Sequence, residues 1–262
     1  MKGIGFNKFV NKYIINGYLF VYNGLHVGMG TDGSEKDSPF FNVNGEYQIP
    51  GSSFRGYLRS KIEKILYNFI ENEKDDEIRN EKFLFYINDE KKEKKYSKDT
   101  IDIIFGTVEG EKIQAGRIFI PDLPMIKSRN KKDDEKNKTQ NRDGIMIDKE
   151  TGLAKDGAKF DYEVVTRGNI FEFKMILENV EEEEIALILL GLSEIMSDEG
   201  DLFGGKLSRG IGRCKLVIDN YKYVDEKSIE NYILKGEYIE KKKADFDKLV
   251  LEKRKNMSIG GN

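Results

Sequence analysis

Apolar positions recur along this chain with two periods, two and about 3.6, and the switches between them mark out its elements. Residues 11–22, rich in Tyr, Ile, Leu, Phe and Val, predict a strand that ends at Asn23-Gly24. Residues 25–45 hold Gly28, Gly30 and Gly33 among acids, which predicts a long irregular loop. After Pro50 a helix opens with a serine as N-cap and runs to about residue 69. At about 100° per residue, Phe54, Leu58, Ile62, Ile65, Leu66 and Phe69 share one apolar arc. Arg55 and Arg59 sit at the edge of that arc, so their stems should pack on the fold while their guanidinium groups emerge at its boundary.

Residues 71–100 are dense in Lys, Glu and Asp around one apolar island at 83–86, which predicts an inserted helical lid. A second strand is expected at 116–121, terminated by Pro121. Residues 127–141 contain no apolar side chain and predict a projecting or disordered loop. Two strands follow at 161–165 and 170–177, joined at Arg167-Gly168. In the second, Phe171, Phe173, Met175 and Leu177 alternate with polar residues. Residues 181–199 read as an amphipathic helix with acids at its positive end, stopped by Gly200 and followed by a strand at 213–218. Strand–helix–strand thus occurs twice. The economical fold is α+β, a ferredoxin-like (RRM-like) core with helices on one face of an antiparallel sheet. The tail at 228–257 has weak helical periodicity, with a glycine-rich flexible end.

Composition narrows the function. Forty-four Lys and Arg against 47 Asp and Glu give a net charge of −3, but the charges are segregated. Residues 178–201 carry nine acids and no base, and residues 202–216 carry Lys206, Arg209, Arg213 and Lys215 and no acid. Arg55, Arg59, Lys61 and Lys64 form a second basic cluster opposed by Glu63. Such runs are ordinarily solvated faces, but both of these abut glycine or serine turns, as a phosphate-binding surface would. No apolar run is long enough to span a membrane, and Met1-Lys2-Gly3 does not lead into a signal peptide, so a cytoplasmic chain with no membrane partner is expected. One Cys and one His supply neither a disulfide nor a zinc site.

Two motifs carry the chemistry. Ile49-Pro50-Gly51-Ser52-Ser53-Phe54-Arg55-Gly56-Tyr57-Leu58-Arg59 places small residues and free N–H groups at a helix start, where an anion is favoured, with Arg55 and Arg59 in reserve. Phe203-Gly204-Gly205-Lys206-Leu207-Ser208-Arg209-Gly210-Ile211-Gly212-Arg213 sets cations among four glycines, allowing a close backbone approach. It is neither a Walker A loop nor a dinucleotide fingerprint.

Together these motifs resemble the RAMP superfamily of CRISPR-associated proteins, and specifically the backbone subunits of type III effector complexes. Gly24-Leu25-His26-Val27-Gly28 is similar to the family's first-strand ending. Asn141-Arg142-Asp143-Gly144 with Thr151-Gly152-Leu153-Ala154 is similar to the stretch before a protruding thumb, and Lys159-Phe160-Asp161-Tyr162 to the strand leaving it. The expected division is a RAMP domain at 1–225, with insertions at about 71–115 (lid) and 122–168 (thumb), and a helical tail at 226–262; residues 71–100 and the tail after Tyr221 have no counterpart in the resemblance. The resemblance implies CRISPR RNA and target RNA as partners, with neighbouring copies of the chain and other type III subunits. It implies RNA contacts from His26, Ser52, Ser53, Arg55, Arg59, Arg142, Gly204, Gly205, Lys206, Ser208, Arg209 and Arg213.

Target-cleaving members hold an Asp in the loop before the serine motif, and here Lys36-Asp37-Ser38-Pro39 makes Asp37 the carried-over catalytic residue of an endoribonuclease. A divalent cation, Mg2+ or Mn2+, is expected for that cleavage. Two alternatives stay open. One is a non-catalytic RNA-binding scaffold; the other is a CRISPR RNA processing nuclease using His26 without metal.

Overall fold

The computed structural model describes residues 8–29, 38–67, 85–87, 98–109, 112–126, 138–255 and 257–259. The first half of the chain forms β1 (Lys12–Val21), β2 (Asn42–Val43), β3 (Glu46–Ile49), α1 (Gly51–Tyr67), β4 (Phe85–Ile87), α2 (Lys98–Phe105), β5 (Thr107–Glu109), β6 (Lys112–Gln114), β7 (Ile118–Phe119) and β8 (Leu123–Pro124). The second half forms β9 (Thr139–Ile147), β10 (Ala154–Val165), β11 (Ile170–Glu178), α3 (Glu182–Leu192), β12 (Asp201–Leu202), β13 (Arg213–Val224), α4 (Ile229–Lys235), β14 (Ile239–Lys242), α5 (Lys243–Lys255) and β15 (Met257–Ile259).

The main sheet runs β12-β13-β1-β11-β7, with β14 added beside the far half of β13, and every pairing in it is antiparallel. The path β1-α1-β7-β11-α3-β13, with spatial order β13-β1-β11-β7, is the βαββαβ ferredoxin-like arrangement. The alternation seen in sequence places Phe171, Phe173, Met175 and Leu177 in the core, beside Ile15 and Leu19 of β1. Phe54, Leu58 and Ile62 of α1 are fully buried against them, each contributing about 1.5–3 kcal/mol.

Several boundaries differ from expectation, each for a physical reason. Helix α1 starts at Gly51 without a serine cap. The Pro50 carbonyl accepts from Ser53 and Phe54, while Asp122 Oδ1 takes the Gly51 N–H at 2.9 Å. The cap is therefore supplied from β8's side, 71 residues away. Helix α3 ends at Leu192, well short of Gly200, and the chain continues in turns that still bury Ile195. β10 and β11 are consecutive but unpaired, because β1 and β7 already occupy both edges of β11. Gly168, at φ +89°, turns the chain, and β10 pairs with β9 as a long hairpin outside the main sheet.

The loop expected at 25–45 is anchored where it is described: Leu25 bridges Val165 and Gly28 bridges Phe40. Of the expected lid, residues 71–84 and 88–97 lie outside the described residues, as do residues 68 and 69 at the expected end of the first helix. Phe85–Ile87 forms a strand, not a helix, paired with β15 at the end of the tail. The tail itself is mixed, α4-β14-α5-β15, since Tyr221 and Phe246 bury α5 on the sheet and β14 extends it. Residues 127–137 of the polar run also lie outside the described residues, and β9 begins at Thr139.

Candidate nucleic-acid interface

The glycine-rich segment is a built structure. Phe203 is buried against Phe54 and Tyr57 of α1, with ring centres 5.5 Å from each. Gly205 N–H donates to the His26 carbonyl at 2.8 Å and Gly212 N–H to the Gly24 carbonyl at 2.7 Å. Asn23 closes the far side: its Nδ2 donates to Gly210 O and its Oδ1 accepts from Arg213 N–H, both at 2.8 Å. At Gly204, where φ is +94°, a Cβ would lie 2.6 Å from the His26 carbonyl oxygen, so only glycine fits. Between these clamps a single 3-10 turn, Leu207–Arg209, carries Lys206, Ser208 and Arg209 outward.

Beneath the loop, His26 is 3% exposed. Its Nδ1 lies 2.7 Å from the Glu163 carbonyl, which can only accept, so Nδ1 carries the proton. Nε2 then accepts from Ser38 Oγ at 3.2 Å. Burial, opposed by the Glu163 hydrogen bond and aided by Lys206, holds its pKa below the usual imidazole value, so the ring is neutral. Glu163, also 3% exposed, accepts from Phe40 N–H, Tyr47 Oη and Thr139 Oγ1. Its N–H donates to the Ser38 carbonyl at 3.0 Å. Both chain ends around the undescribed residues 30–37 are thus tied to the base of the β9–β10 hairpin.

The basic residues divide by partner. Arg59 is committed to Glu63 (2.8 Å), Asp102 (3.1 Å) and the Gly106 carbonyl (3.2 Å). Lys61 pairs with Glu194 and Asp201, Arg213 with Glu199, and Lys215 with Asp198, so the acidic run neutralises much of the basic run that follows it. Arg55, Lys64, Arg142, Lys206 and Arg209 have no carboxylate partner among the described residues. Arg55 lies over Phe105, 5.7 Å from its centre; burial first and Arg59 second lower its pKa.

A cavity of about 500 Å³ opens between the glycine loop and α1. Its α1 wall is Ser53, Tyr57, Ser60, Lys61 and Lys64, and Gly204, Gly205 and Leu207 form the other side. Of the residues expected to bind RNA, Ser53, Gly204 and Gly205 line the cavity, His26 lies beneath the two glycines, and Lys206 and Arg209 lie over Phe160 and Tyr162 of β10. Ser208 is exposed on the same turn, Arg213 is held by Glu199, and Ser52 is exposed at the helix start. Arg55 and Arg59 face α2, on a different side of the helix from the cavity. Arg142 lies on β9, opposite Tyr162. Sequence reasoning passed over Ser60 and Tyr57, although the 3–4 spacing of Ser53, Tyr57, Ser60 and Lys64 is a helical stripe. It also passed over Asn23 and Glu163 as clamps.

Asp37 lies outside the described residues. Among the described residues no group of three or more His, Cys, Asp or Glu side chains is placed to hold a metal ion. Both His26 nitrogens and both Glu163 carboxylate oxygens have hydrogen-bond partners. Burial pushes the Cys214 thiol up to about 12, so it carries no thiolate at neutral pH. No helix among the described residues is long and apolar enough to cross a membrane.

The structure is a ferredoxin-like core with a glycine loop clamped to the first strand's end and a β9–β10 hairpin outside the main sheet, an arrangement compatible with a nucleic-acid-binding module. The RAMP superfamily matches residues 20–215, most of the chain, and the chain belongs to that family. No curated protein sequence matches it.

Proposed function

We propose that this chain is a backbone subunit of a type III CRISPR effector complex. In this reading it holds CRISPR RNA, stands beside neighbouring copies of itself and other subunits in the cytoplasm, and cleaves complementary target RNA in antiviral defence. The observation carrying the reading is the pair Lys206 and Arg209, free of carboxylates, beside a cavity walled by Ser53, Ser60 and Lys64. Serine hydroxyls, glycine backbone and Lys64, unpaired among the described residues, lie along one groove that also holds the Lys61–Asp201 pair. With Lys206 and Arg209 on the adjoining loop, they suit a sugar–phosphate strand and read no base. The β9–β10 hairpin would serve as the thumb. Ile145, Met146, Ile147 and Leu153 are more than half exposed near its tip, as apolar side chains meant to meet a duplex would be.

Cleavage in this proposal falls to Asp37, one residue before the anchored Ser38, and requires Mg2+ or Mn2+. The reading in which His26 processes CRISPR RNA is less favoured, because a buried neutral imidazole with both nitrogens engaged is poorly placed to exchange protons with a substrate.

Co-expression with a CRISPR array, purification of the chain and sequencing of the bound RNA test the proposal. Enrichment of array-derived RNA is the expected result; unrelated RNA, or none, overturns it. Lys206→Ala with Arg209→Ala should weaken binding across sequences and lower the salt slope by about 0.7 for each phosphate no longer neutralised.

A further inference from the structure

Lys206 and Arg209 keep their charge free in a chain crowded with acids. Four residues further on, Arg213 is paired with Glu199, and Lys215 with Asp198. What lies against Lys206 and Arg209 instead is a pair of rings on β10. Arg209 Cζ is 4.6 Å from the centre of Phe160 and 5.7 Å from that of Tyr162. Lys206 Nζ is 5.5 Å and 5.7 Å from the same two rings. The rings stack on each other at 6.4 Å, and Tyr162 meets His26 edge-on at 5.7 Å. Tyr162 is buried with Val164 and Ile211, and Phe160 packs on that cluster. Opposite Phe160 in the hairpin stands Gly144, where a Cβ would come within 2.2 Å of the Phe160 Cζ. The missing side chain lets the ring fold over the strand and meet the loop.

A π face attracts a cation without neutralising it, and a guanidinium stacked on a ring still presents its N–H edge to a phosphate. A carboxylate in the same place would orient the cation but cancel its charge. We propose that Phe160 and Tyr162 are positioning residues: they hold Lys206 and Arg209 as a preorganised phosphate-binding pair, so that the projecting hairpin sets the geometry of the glycine-loop grip. This rests on the RNA-binding reading above and adds to it a mechanical link between hairpin and grip.

The test uses the full chain and a single-stranded RNA, with affinity measured over a range of salt. Phe160→Leu keeps apolar bulk but removes the ring face. It should weaken binding by about three- to tenfold and lower the salt slope by about 0.7 for each phosphate that the pair ceases to hold, whereas Phe160→Tyr should restore both. Arg209→Ala added to Phe160→Leu should cost less than it does alone. Unchanged affinity in Phe160→Leu overturns the proposal, as does full additivity. Weakened binding with an unchanged slope also overturns it and would mean that the ring stacks on a base. One readout needs neither RNA nor a variant: the Arg209 side-chain protons in the free protein should be shifted upfield by the rings, and unshifted resonances overturn the positioning role. Upfield shifts with no RNA binding by the wild type would leave the stacking correct and the RNA reading wrong.

Discussion

His26 donates from Nδ1 to the main-chain oxygen of Glu163 at 2.7 Å, across 137 residues of sequence. The contact fastens the end of β1 to the base of the β9–β10 hairpin, and the glycine loop closes over it through the Gly205 N–H. Three segments far apart in the chain therefore meet at one residue, the hairpin through its neutral imidazole and the glycine loop through its main-chain oxygen.

The imidazole contact predicts a pH effect on stability. The folded pKa of His26 is depressed by burial, so the unfolded chain takes up the proton first, near its ordinary value of about 6.5. The stabilisation is complete above that value and is lost as pH falls through the folded pKa. Melting temperature should therefore drop between pH 7 and pH 5.5, and His26→Gln should flatten the drop within that window. An identical pH profile for the variant would rule out His26 as its source.

Arg59 and Arg55, four residues apart, should separate experimentally. Arg59→Ala removes bonds to Glu63, Asp102 and Gly106 and should cost about 1–2 kcal/mol of stability, discounted for its partial exposure. Arg55→Ala should leave the melting temperature nearly unchanged, since no carboxylate among the described residues holds its guanidinium. Equal stabilities for the two variants would contradict the division between committed and available cations.

Arg117 and Glu184 form a buried pair at 2.7 Å, with both side chains under 6% exposed, and Glu184 also accepts the Glu181 N–H. Arg117→Met should destabilise by about 3–5 kcal/mol at pH 7. Burial already raises the Glu184 pKa, and losing the nearby guanidinium raises it further, so the variant should regain stability relative to wild type as pH falls. A penalty independent of pH would mean that packing, not charge, accounts for the loss.

Asp37→Ala should abolish target RNA cleavage in the assembled complex while RNA binding persists, and EDTA should reproduce the effect. Cleavage that survives EDTA but is lost in His26→Ala would favour the processing-nuclease alternative. No cleavage by the wild type with metal supplied would make the chain a scaffold.

Much of the fold was legible in the sequence because it rests on local periodicity. The arc Phe54-Leu58-Ile62 and the alternation Phe171-Phe173-Met175-Leu177 each report one buried face of one element, and each is buried as its spacing implies. The glycine and serine motifs were legible too, since backbone that must approach a neighbour closely leaves small residues behind it. What tertiary structure alone decided is how the charges are shared. Arg55 and Lys206 remain available while Arg59 and Arg213 do not, because Asp102 and Glu199 reach only the latter two. It also decided that Asp122 caps α1, that Glu163 anchors Ser38, and that Phe160 underlies Arg209. Such pairings join residues tens to more than a hundred positions apart, or depend on side-chain direction. A one-dimensional pattern carries the burial of a residue, which its own element sets, but not the identity of its partner, which the packing of other elements sets.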